Sequence, residues 1–335
     1  MSVRFIKQVY HQLPVIFRLL LSITALMLFF GTIIHLVEPN QFPTVFEGIW
    51  WAIVTGATVG YGDYVPLTIP GKIVAITLIL SGGGLVAFYI TTLSAATVQH
   101  EKDLLEGKLQ FKGSNHYIFI GWNERTRRLI DLTIENSPST QIVLIDRTLK
   151  SVEYRHYPVH FIKGDPTEDD TLKKANISLA QRVLISADIS AKNERQADND
   201  TILSTVAIRG NNKHALIIAE ILTRVQIENA LRAGATTIIR TNDFISGLFY
   251  HELSHTASST PFEDLLQLMK TQQFHHTKIT EDLHEKTFSE LSTIQTKQQH
   301  ILLGIIRNHD YYLNCAPTFV LKQGDIVISL VAWKN

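Results

Sequence analysis

The 335-residue chain has a single cysteine, Cys315, and no net formal charge. One cysteine excludes an intramolecular disulfide framework and a cysteine-rich metal site. The 31 basic and 31 acidic residues lack the basic excess that is typical of nucleic-acid-binding proteins. Charge is also scarce at one end, because the first 100 residues hold seven Asp, Glu, Lys or Arg residues and the other 235 hold 55. An apolar N-terminal third joined to a soluble-type remainder indicates an integral membrane protein with further domains.

Two apolar stretches in the first third are long enough to cross a bilayer. They cover residues 19–36 and about 73–98. No lysine or arginine lies between Arg18 and Lys72, whereas basic residues precede the first stretch and follow the second. Because basic residues favour the cytoplasmic side, both termini are predicted to be cytoplasmic and the connection external. The first stretch is longer than the apolar part of a cleaved signal, which favours a two-span hairpin.

The connection between the two spans is too apolar for a simple external loop. Residues 43–55 predict a helix that is too short to span, with Pro43 in its first turn. Directly after this helix come Thr58, Val59, Gly60, Tyr61, Gly62 and Asp63. This TVGYGD run resembles the selectivity filter of potassium channels.

The resemblance implies a role for each part of this run. Main-chain carbonyls of residues 58–61 and the Thr58 hydroxyl are expected to replace the hydration shell of K⁺ in the filter. Trp50 and Trp51 on the short helix are expected to pack around Tyr61 and support the filter. One chain contributes one filter strand and a pore needs four, so the resemblance implies a homotetramer in the membrane.

The second apolar stretch contains three consecutive glycines, Gly82, Gly83 and Gly84. Each glycine inside a helix costs about 1 kcal/mol relative to alanine, so three together indicate a use. Close helix packing is one use, because small residues let membrane helices approach. A gating hinge that bends the inner helix is the other, and it is the use that the family resemblance implies. There is no additional membrane helix with repeated arginines beside the two apolar stretches, so a voltage sensor of the S4 type is not predicted.

After a polar linker, strands and helices alternate along the chain. Strand-like segments cover residues 117–120, 141–145, 159–163, 182–186, 215–219 and 237–240. Helical stretches lie between most of them, which predicts parallel βαβ units and a doubly wound sheet.

This pattern resembles the RCK domain, the regulator of K⁺ conductance, which is also called KTN or TrkA-type. The segments that match in order are YIFIGWNERTRRLI, VLID ending at Asp146, HFIKGDPTEDDTLKKANI and AGATTIIRTN. From about Phe262 the sequence resembles the smaller C-terminal lobe of that domain, ending in LKQGDIVISLVAW. Taken together, the chain resembles two-transmembrane prokaryotic potassium channels with a C-terminal RCK domain, and is similar to calcium-gated ones.

The resemblances divide the chain into four parts. These are a transmembrane pore domain (1–98), a linker (99–115), an RCK N-terminal Rossmann-like domain (116–243), and crossover helices with the RCK C-terminal lobe (244–335). The expected fold is a membrane all-α pore, a two-span hairpin with a pore helix, fused to a cytoplasmic α/β Rossmann-like RCK domain. A small α+β lobe completes it.

A nucleotide is one candidate for the regulatory ligand. A dinucleotide fold favours G-x-G-x-x-G after its first strand, but here only Gly121 is kept and Asn123 stands at the second glycine position. Asp146 ends the second strand, where an acid binds ribose hydroxyls. The pattern is weak for NAD and more favourable for an adenosine nucleotide such as ADP. Alternatively, the fold is vestigial and Asp146 is merely solvated.

Calcium is the rival ligand, because it is a hard cation that binds several carboxylate oxygens. Glu220 ends the fifth strand at a position that resembles a Ca²⁺-binding glutamate of calcium-gated relatives. Asp188, Asp198 and Asp200 could converge with it at the carboxyl ends of neighbouring strands. Leu222 replaces a second acid of those relatives. The alternative is that Asp198 and Asp200 stabilise a helix N-terminus through its dipole.

The sequence therefore predicts a ligand-gated, K⁺-selective channel in the plasma membrane, conducting passively through a tetrameric pore. No catalytic residues and no nucleic-acid partner are predicted, and the protein is not expected to be an enzyme. Additional RCK domains could complete an octameric ring, since four chains supply only four. The alternative is a K⁺ uptake transporter subunit regulated by nucleotide binding to its KTN domain.

Overall fold

The computed structural model describes residues 13–152, 158–188, 191–254 and 261–333. They form two compact units. The first contains the chain up to residue 112 together with residues 143–165, and the second contains residues 113–142 and those from 166 onward.

Four α-helices build the N-terminal part of the first unit. They are α1 (Val15–Val37), α2 (Val45–Gly56), α3 (Ile69–Leu78) and α4 (Gly84–Leu105), with a π-helical turn at Ile79–Gly83 joining the last two. Two continuous helical stretches, Val15–Val37 and Ile69–Leu105, have the length and composition to cross a membrane. The shorter α2 stands between them in the chain. The predicted two-span hairpin with a pore helix is confirmed.

Helices α1 and α2 pack so closely that their contact requires glycine. A Cβ atom on Gly48 would lie 2.1 Å from the carbonyl oxygen of Gly31, and one on Gly31 would lie 2.5 Å from Cα of Ile49. Small residues let membrane helices approach in this way. The buried cluster around this contact consists of Met27, Phe30, Ile34, Phe42, Trp51, Ala52 and Leu78.

Glu38 joins the end of the first long helix to the start of the second. Its buried carboxylate accepts hydrogen bonds from the backbone amides of Leu67 (3.0 Å) and Thr68 (2.8 Å) and from the Thr68 hydroxyl. Thr68 is the N-cap of α3 and accepts from the Gly71 amide. The negative charge of Glu38 therefore lies at the positive end of the second helix, where it is favourable.

Six strands form one sheet in the order β3-β2-β1-β4-β5-β6. Their bounds are β1 (Tyr117–Ile120), β2 (Ile142–Asp146), β3 (Val159–Lys163), β4 (Arg182–Ile185), β5 (Leu216–Glu220) and β6 (Thr237–Ile239). The pairs β1–β4, β4–β5 and β5–β6 are parallel. The intervening helices are α5 (Glu124–Asn136), α6 (Asp169–Lys174), α7 (Glu194–Asn211) and α8 (Ile227–Arg232). The predicted doubly wound sheet is confirmed, and its strand order reverses between β1 and β4, where such sheets bind ligands.

A small α+β lobe follows helices α9 (Thr241–Ser254) and α10 (Pro261–Thr271). It contains β7 (Gln272–Lys278), α11 (Phe288–Lys297), β8 (Ile301–Arg307), β9 (Asp310–Leu313) and β10 (Ile326–Ala332). These strands form an antiparallel sheet in the order β7-β10-β8-β9. Its core packs Ile279, Leu291, Ile305, Leu321 and Val327 together, which confirms the predicted lobe.

The lobe contains a buried ion pair between Arg307 and Asp325. Two guanidinium nitrogens of Arg307 bind the two carboxylate oxygens, each at 2.7 Å, and the side chain of Asp325 is 1% exposed. Burial raises the pKa of Asp325, but hydrogen bonds from Arg307 and the Lys322 amide outweigh burial and hold that pKa below its ordinary value. The pair therefore stabilises the lobe above the ordinary aspartate pKa of about 3.9, and this contribution is lost as pH falls through the lowered value.

Replacing Arg307 with methionine is expected to cost the lobe about 3–5 kcal/mol at pH 7, because it leaves a buried carboxylate without its cation. The loss should shrink on acidification, since a protonated Asp325 is less costly to bury. Hydrogen exchange of the β10 amides in the full chain measures both effects. Lys297→Met removes an exposed cation from the same lobe and serves as the control. Equal β10 protection in the Arg307 variant and the parent at pH 7 would contradict the prediction.

Candidate functional site

The loop after α2 takes up backbone angles that are unusual for most residues. Helix α2 begins with a capping box in which Thr44 and Glu47 bond each other reciprocally. It ends at Gly56, and the chain then has positive φ at Thr58 (61°), Gly60 (61°) and Gly62 (76°). The amides of residues 59 and 60 both point back to the carbonyl of Val54, at 3.0 and 3.3 Å. Those two amides are thereby held against the short helix.

Trp50 connects the short helix to residues 61–63. Its indole nitrogen donates to a carboxylate oxygen of Asp63 at 2.8 Å. Its ring stacks on that of Tyr61, with centroids 6.0 Å apart and planes 11° apart. Trp51 lies elsewhere: it is buried in the helix cluster, with its ring 5.4 Å from that of Phe42. Within one chain, Trp50 contacts Tyr61 directly and Trp51 holds the short helix in place.

We call the second long helical stretch, Ile69–Leu105, the inner helix, and its three consecutive glycines differ in their surroundings. The chain forms a π-helical turn over Ile79–Gly83 and resumes as α-helix at Gly84. A Cβ on Gly82 would lie 3.1 Å from Leu78 and 3.3 Å from Met27, whereas a Cβ on Gly83 or Gly84 would meet nothing within 4 Å. Gly82 thus serves close packing. The wider turn at these glycines departs from regular α-helical hydrogen bonding, as is common at bends and functional sites.

The chain after the inner helix is hydrogen-bonded to strand β3. We call the contact of residues 105–111 with Val152 and β3 the linker clasp. The amide of Lys163 donates to the carbonyl of Gly107 at 2.9 Å, and the amide of Val152 donates to that of Leu105 at 3.2 Å. Gly107 has φ of 69°, and a Cβ there would lie 2.4 Å from the Lys163 nitrogen. The close approach therefore requires glycine at this position.

A histidine holds the second half of the linker clasp. The Nε2 atom of His160 lies 2.9 Å from the carbonyl oxygen of Leu109. The His160 ring also contacts Phe111, with centroids 5.3 Å apart. Both contacts follow the Gly107 bond along β3, so the linker runs beside this strand instead of hanging free.

Glu220 lies at the carboxyl end of β5, and both of its oxygens are engaged. Oε2 accepts from the hydroxyl of Ser186 (3.0 Å), the amide of Ala187 (2.8 Å) and the guanidinium of Arg125 (3.0 Å). Oε1 accepts from the hydroxyl of Thr241 at 2.6 Å. The carboxylate thus ties together the ends of β4 and β5, the start of α9 and the first turn of α5.

The three predicted aspartates are not gathered around Glu220. Asp198 is fully buried in α7 and accepts from the amides of Leu222 (2.7 Å) and Thr223 (3.0 Å) and from the Thr223 hydroxyl. Asp200 accepts from Gln196 on its own helix, and Asp188 follows β4 and is half-buried. In the described ranges, no three His, Cys, Asp or Glu side chains could hold a metal ion together. The expected convergence is corrected for a physical reason: Asp198 and Glu220 are committed to other donors.

The candidate nucleotide residues are engaged within the fold. Gly121 has φ of 90° and follows β1. Asn123 caps α5 by accepting from the Thr126 amide at 3.0 Å, and it also donates to Ser186. Any phosphate approaching this helix N-terminus competes with the Asn123 side chain. Oδ1 of Asp146, at the end of β2, accepts from the amides of residues 148 and 149, both at 2.7 Å.

The N-terminal helical part of the chain and the part that forms the parallel sheet each match a known protein family. Residues 22–99 match the ion channel family model and residues 117–241 match the TrkA-N domain model. The putative potassium channel protein YugO of Bacillus subtilis is 48% identical over 234 residues, which cover 70% of each chain. The chain belongs to this family of potassium channels.

Other potassium channels resemble the chain over much of its length. The calcium-gated potassium channel TvoK of Thermoplasma volcanium is 34% identical over 221 residues, covering 65% of this chain and 63% of that protein. Among solved structures, the GsuK channel has a TM-score of 0.55 and 17% identity, and covers 94% of this chain but only 57% of its own. At that identity the likeness shows a shared fold alone, the fold of RCK channels.

Proposed function

We propose that this potassium channel is a homotetramer that conducts K⁺ selectively and passively across the plasma membrane. The observation that supports it most is the loop at residues 58–63, placed after a half-length helix and between two membrane-length helices. Irregular backbone at membrane depth is tolerated where protein buries it or where it lines a water-filled cavity. A dehydrated K⁺ needs rings of oxygen atoms, which such a loop supplies only when several copies surround one axis.

Exposure of the loop within one chain supports the shared pore. Val59 is 56% exposed and Tyr61 is 68% exposed, although both are large and apolar or aromatic. In a tetramer these side chains face neighbouring subunits and the carbonyls face the ion path. The basic residues that flank the hairpin support a cytoplasmic position for both chain termini.

Gating is proposed to begin in the cytoplasmic RCK domain. A ligand changes the arrangement of a ring of such domains, which further RCK domains complete to eight. The linker clasp passes this change to the inner helix because it starts at the last residue of that helix. The helix opens at Gly83 and Gly84, where a Cβ atom built on either glycine would meet no atom within 4 Å.

Two ligand classes are proposed, Ca²⁺ and an adenine nucleotide. TvoK is named as calcium-gated, and one GsuK structure is described as bound to NAD. The sequence candidates for Ca²⁺, which are Asp188, Asp198, Asp200 and Glu220, are not gathered at one place in the described residues, and the candidates for a nucleotide are Gly121, Asn123 and Asp146.

Recording from the purified full chain in a bilayer tests the function. Under a K⁺/Na⁺ gradient without any energy source, the current should reverse near the K⁺ equilibrium potential. Ca²⁺ and then ADP and NAD are added to the cytoplasmic side and removed again, and open probability is followed. A current that does not discriminate K⁺ from Na⁺ would refute the proposal, and K⁺ uptake that requires energy input would favour the transporter alternative.

A further inference from the structure

The cation nearest to Glu220 is supplied by the protein itself. We propose that Arg125 is a resident counter-cation that excludes divalent cations from Glu220 and so determines which ligand class this position accepts. The inference rests on the proposed ligand-gated channel, because it concerns the ligand selectivity of that channel.

The environment of Glu220 makes an internal cation necessary. The side chain of Glu220 is 8% exposed, whereas that of Arg125 is 47% exposed. A buried carboxylate is unfavourable unless it is paired and hydrogen-bonded. Arg125 reaches it from the solvent side at 3.0 Å, so the pair neutralises the buried charge while the guanidinium stays partly hydrated.

The remaining donors leave few oxygens for Ca²⁺. Calcium binds six to eight oxygen ligands and favours several carboxylates. Around Glu220, the hydroxyls of Ser186 and Thr241 donate their hydrogens to the carboxylate, and the Ala187 amide offers a nitrogen. Asp198 is occupied by the residues after β5. A Ca²⁺ ion bound to Glu220 would therefore have to displace the guanidinium of Arg125 from the carboxylate and would still lie close to its positive charge. A single carboxylate, that of Glu220, would compensate for this repulsion.

The space beside the pair is large enough for a hydrated ion once Arg125 is shortened. Both residues line a cavity of about 570 Å³, together with Ser186, Thr241 and apolar side chains such as Leu129 and Ile218. Access is therefore not what keeps Ca²⁺ away. The positive charge of Arg125 is the obstacle, which makes its removal a direct test.

The test compares Ca²⁺ binding by full-length variants in detergent, measured by isothermal titration calorimetry. Arg125→Gln removes the charge, and Arg125→Lys keeps it. Arg127→Gln removes the same charge from the same helix, where Arg127 pairs with the exposed Glu124, and serves as the matched control. Arg125→Gln combined with Glu220→Gln shows whether any new binding uses this carboxylate.

We expect Arg125→Gln to bind Ca²⁺ at least about tenfold more tightly than the parent, because affinity follows the net charge of the ligand set. The parent, Arg125→Lys and Arg127→Gln should behave alike, and the double variant should lose the gain. Ca²⁺ binding by the parent that Glu220→Gln abolishes would overturn the proposal. So would an Arg125→Gln variant that folds, by its thermal unfolding profile, and binds Ca²⁺ no better than the parent.

Failure of the inference is distinguishable from failure of the proposed channel function. K⁺ efflux from liposomes containing each variant reports the pore independently of calcium binding. A K⁺-selective efflux with unchanged Ca²⁺ affinities refutes only the role of Arg125. Absence of K⁺-selective efflux from the parent refutes the channel itself, whatever the calcium result.

Discussion

Gly60→Ala is expected to abolish K⁺-selective flux while leaving the rest of the protein folded. Gly60 has φ of 61°, and a Cβ built there meets nothing within 4 Å. The cost of the substitution is therefore conformational and not steric. A left-handed angle costs an ordinary residue about 1–2 kcal/mol, and a tetramer carries it four times.

The expected size follows from that cost. Four copies raise the energy of the conducting filter by about 4–8 kcal/mol, which lowers its population by roughly three to six orders of magnitude if the loop relaxes to negative φ. Relaxation turns the neighbouring carbonyls away from the ion path, so K⁺ loses its oxygen ligands. Potassium efflux from liposomes, compared with sodium efflux, measures the effect.

Gly210→Ala is the matched control for this experiment. A Cβ on Gly210 also meets nothing within 4 Å, but its φ lies outside the left-handed range. The same methyl group is added in both variants, and only the backbone angle differs. Gly210→Ala should conduct like the parent. A Gly60→Ala channel with the parent's K⁺ selectivity would show that residues 58–63 do not form the filter.

The proposed filter can be read from the sequence because its chemistry is local. Six contiguous residues specify the carbonyl ladder, and the apolar helices on either side have the length that a bilayer requires. The strands of the doubly wound sheet were predictable for a similar reason, since most are short apolar runs separated by helical stretches. Glu220 was correctly placed at the end of a strand for the same reason.

The partner of Glu220 was not predictable in the same way. Arg125 is 95 residues away in the chain, and no spacing or period connects the two. The available signal was topological: the carboxyl ends of β1, β4 and β5 meet at one edge, and Arg125 follows β1 by a few residues. Asp198 was misjudged for the same reason, because the amides that it binds lie in the segment after β5.

The linker clasp was invisible in the sequence because main-chain groups carry most of it. Any residue can donate the Lys163 amide or accept at the carbonyl of residue 105, so the side chains give no pattern. Gly107 was the one signal in the segment, and its meaning depends on a strand more than fifty residues later. The sequence therefore predicts only a polar linker, whereas in the structure residues 105–111 are hydrogen-bonded to Val152 and β3.

Gly107→Ala is expected to separate ligand binding from pore opening. The new Cβ would lie 2.4 Å from the Lys163 nitrogen and 2.8 Å from the Phe161 ring, and the left-handed angle adds strain. Backbone atoms cannot yield as a flexible side chain can, so the linker has to leave β3. We expect a K⁺-selective current whose response to the regulatory ligand is reduced at least about tenfold, since a coupling of 1.4 kcal/mol corresponds to that factor.

Two further variants are expected to show a partly reduced ligand response and an unchanged ligand response. His160→Phe removes the bond to Leu109 but leaves the Gly107 contact, so it should weaken the ligand response only partly. Lys108→Ala removes exposed ion pairs with Glu106 and Asp103 and leaves the clasp intact, so it should respond like the parent. If Gly107→Ala kept the full ligand response, the movement would have to reach the inner helix by another path. Intact coupling in Gly107→Ala together with lost coupling in Lys108→Ala would assign that path to the exposed charges instead of the clasp.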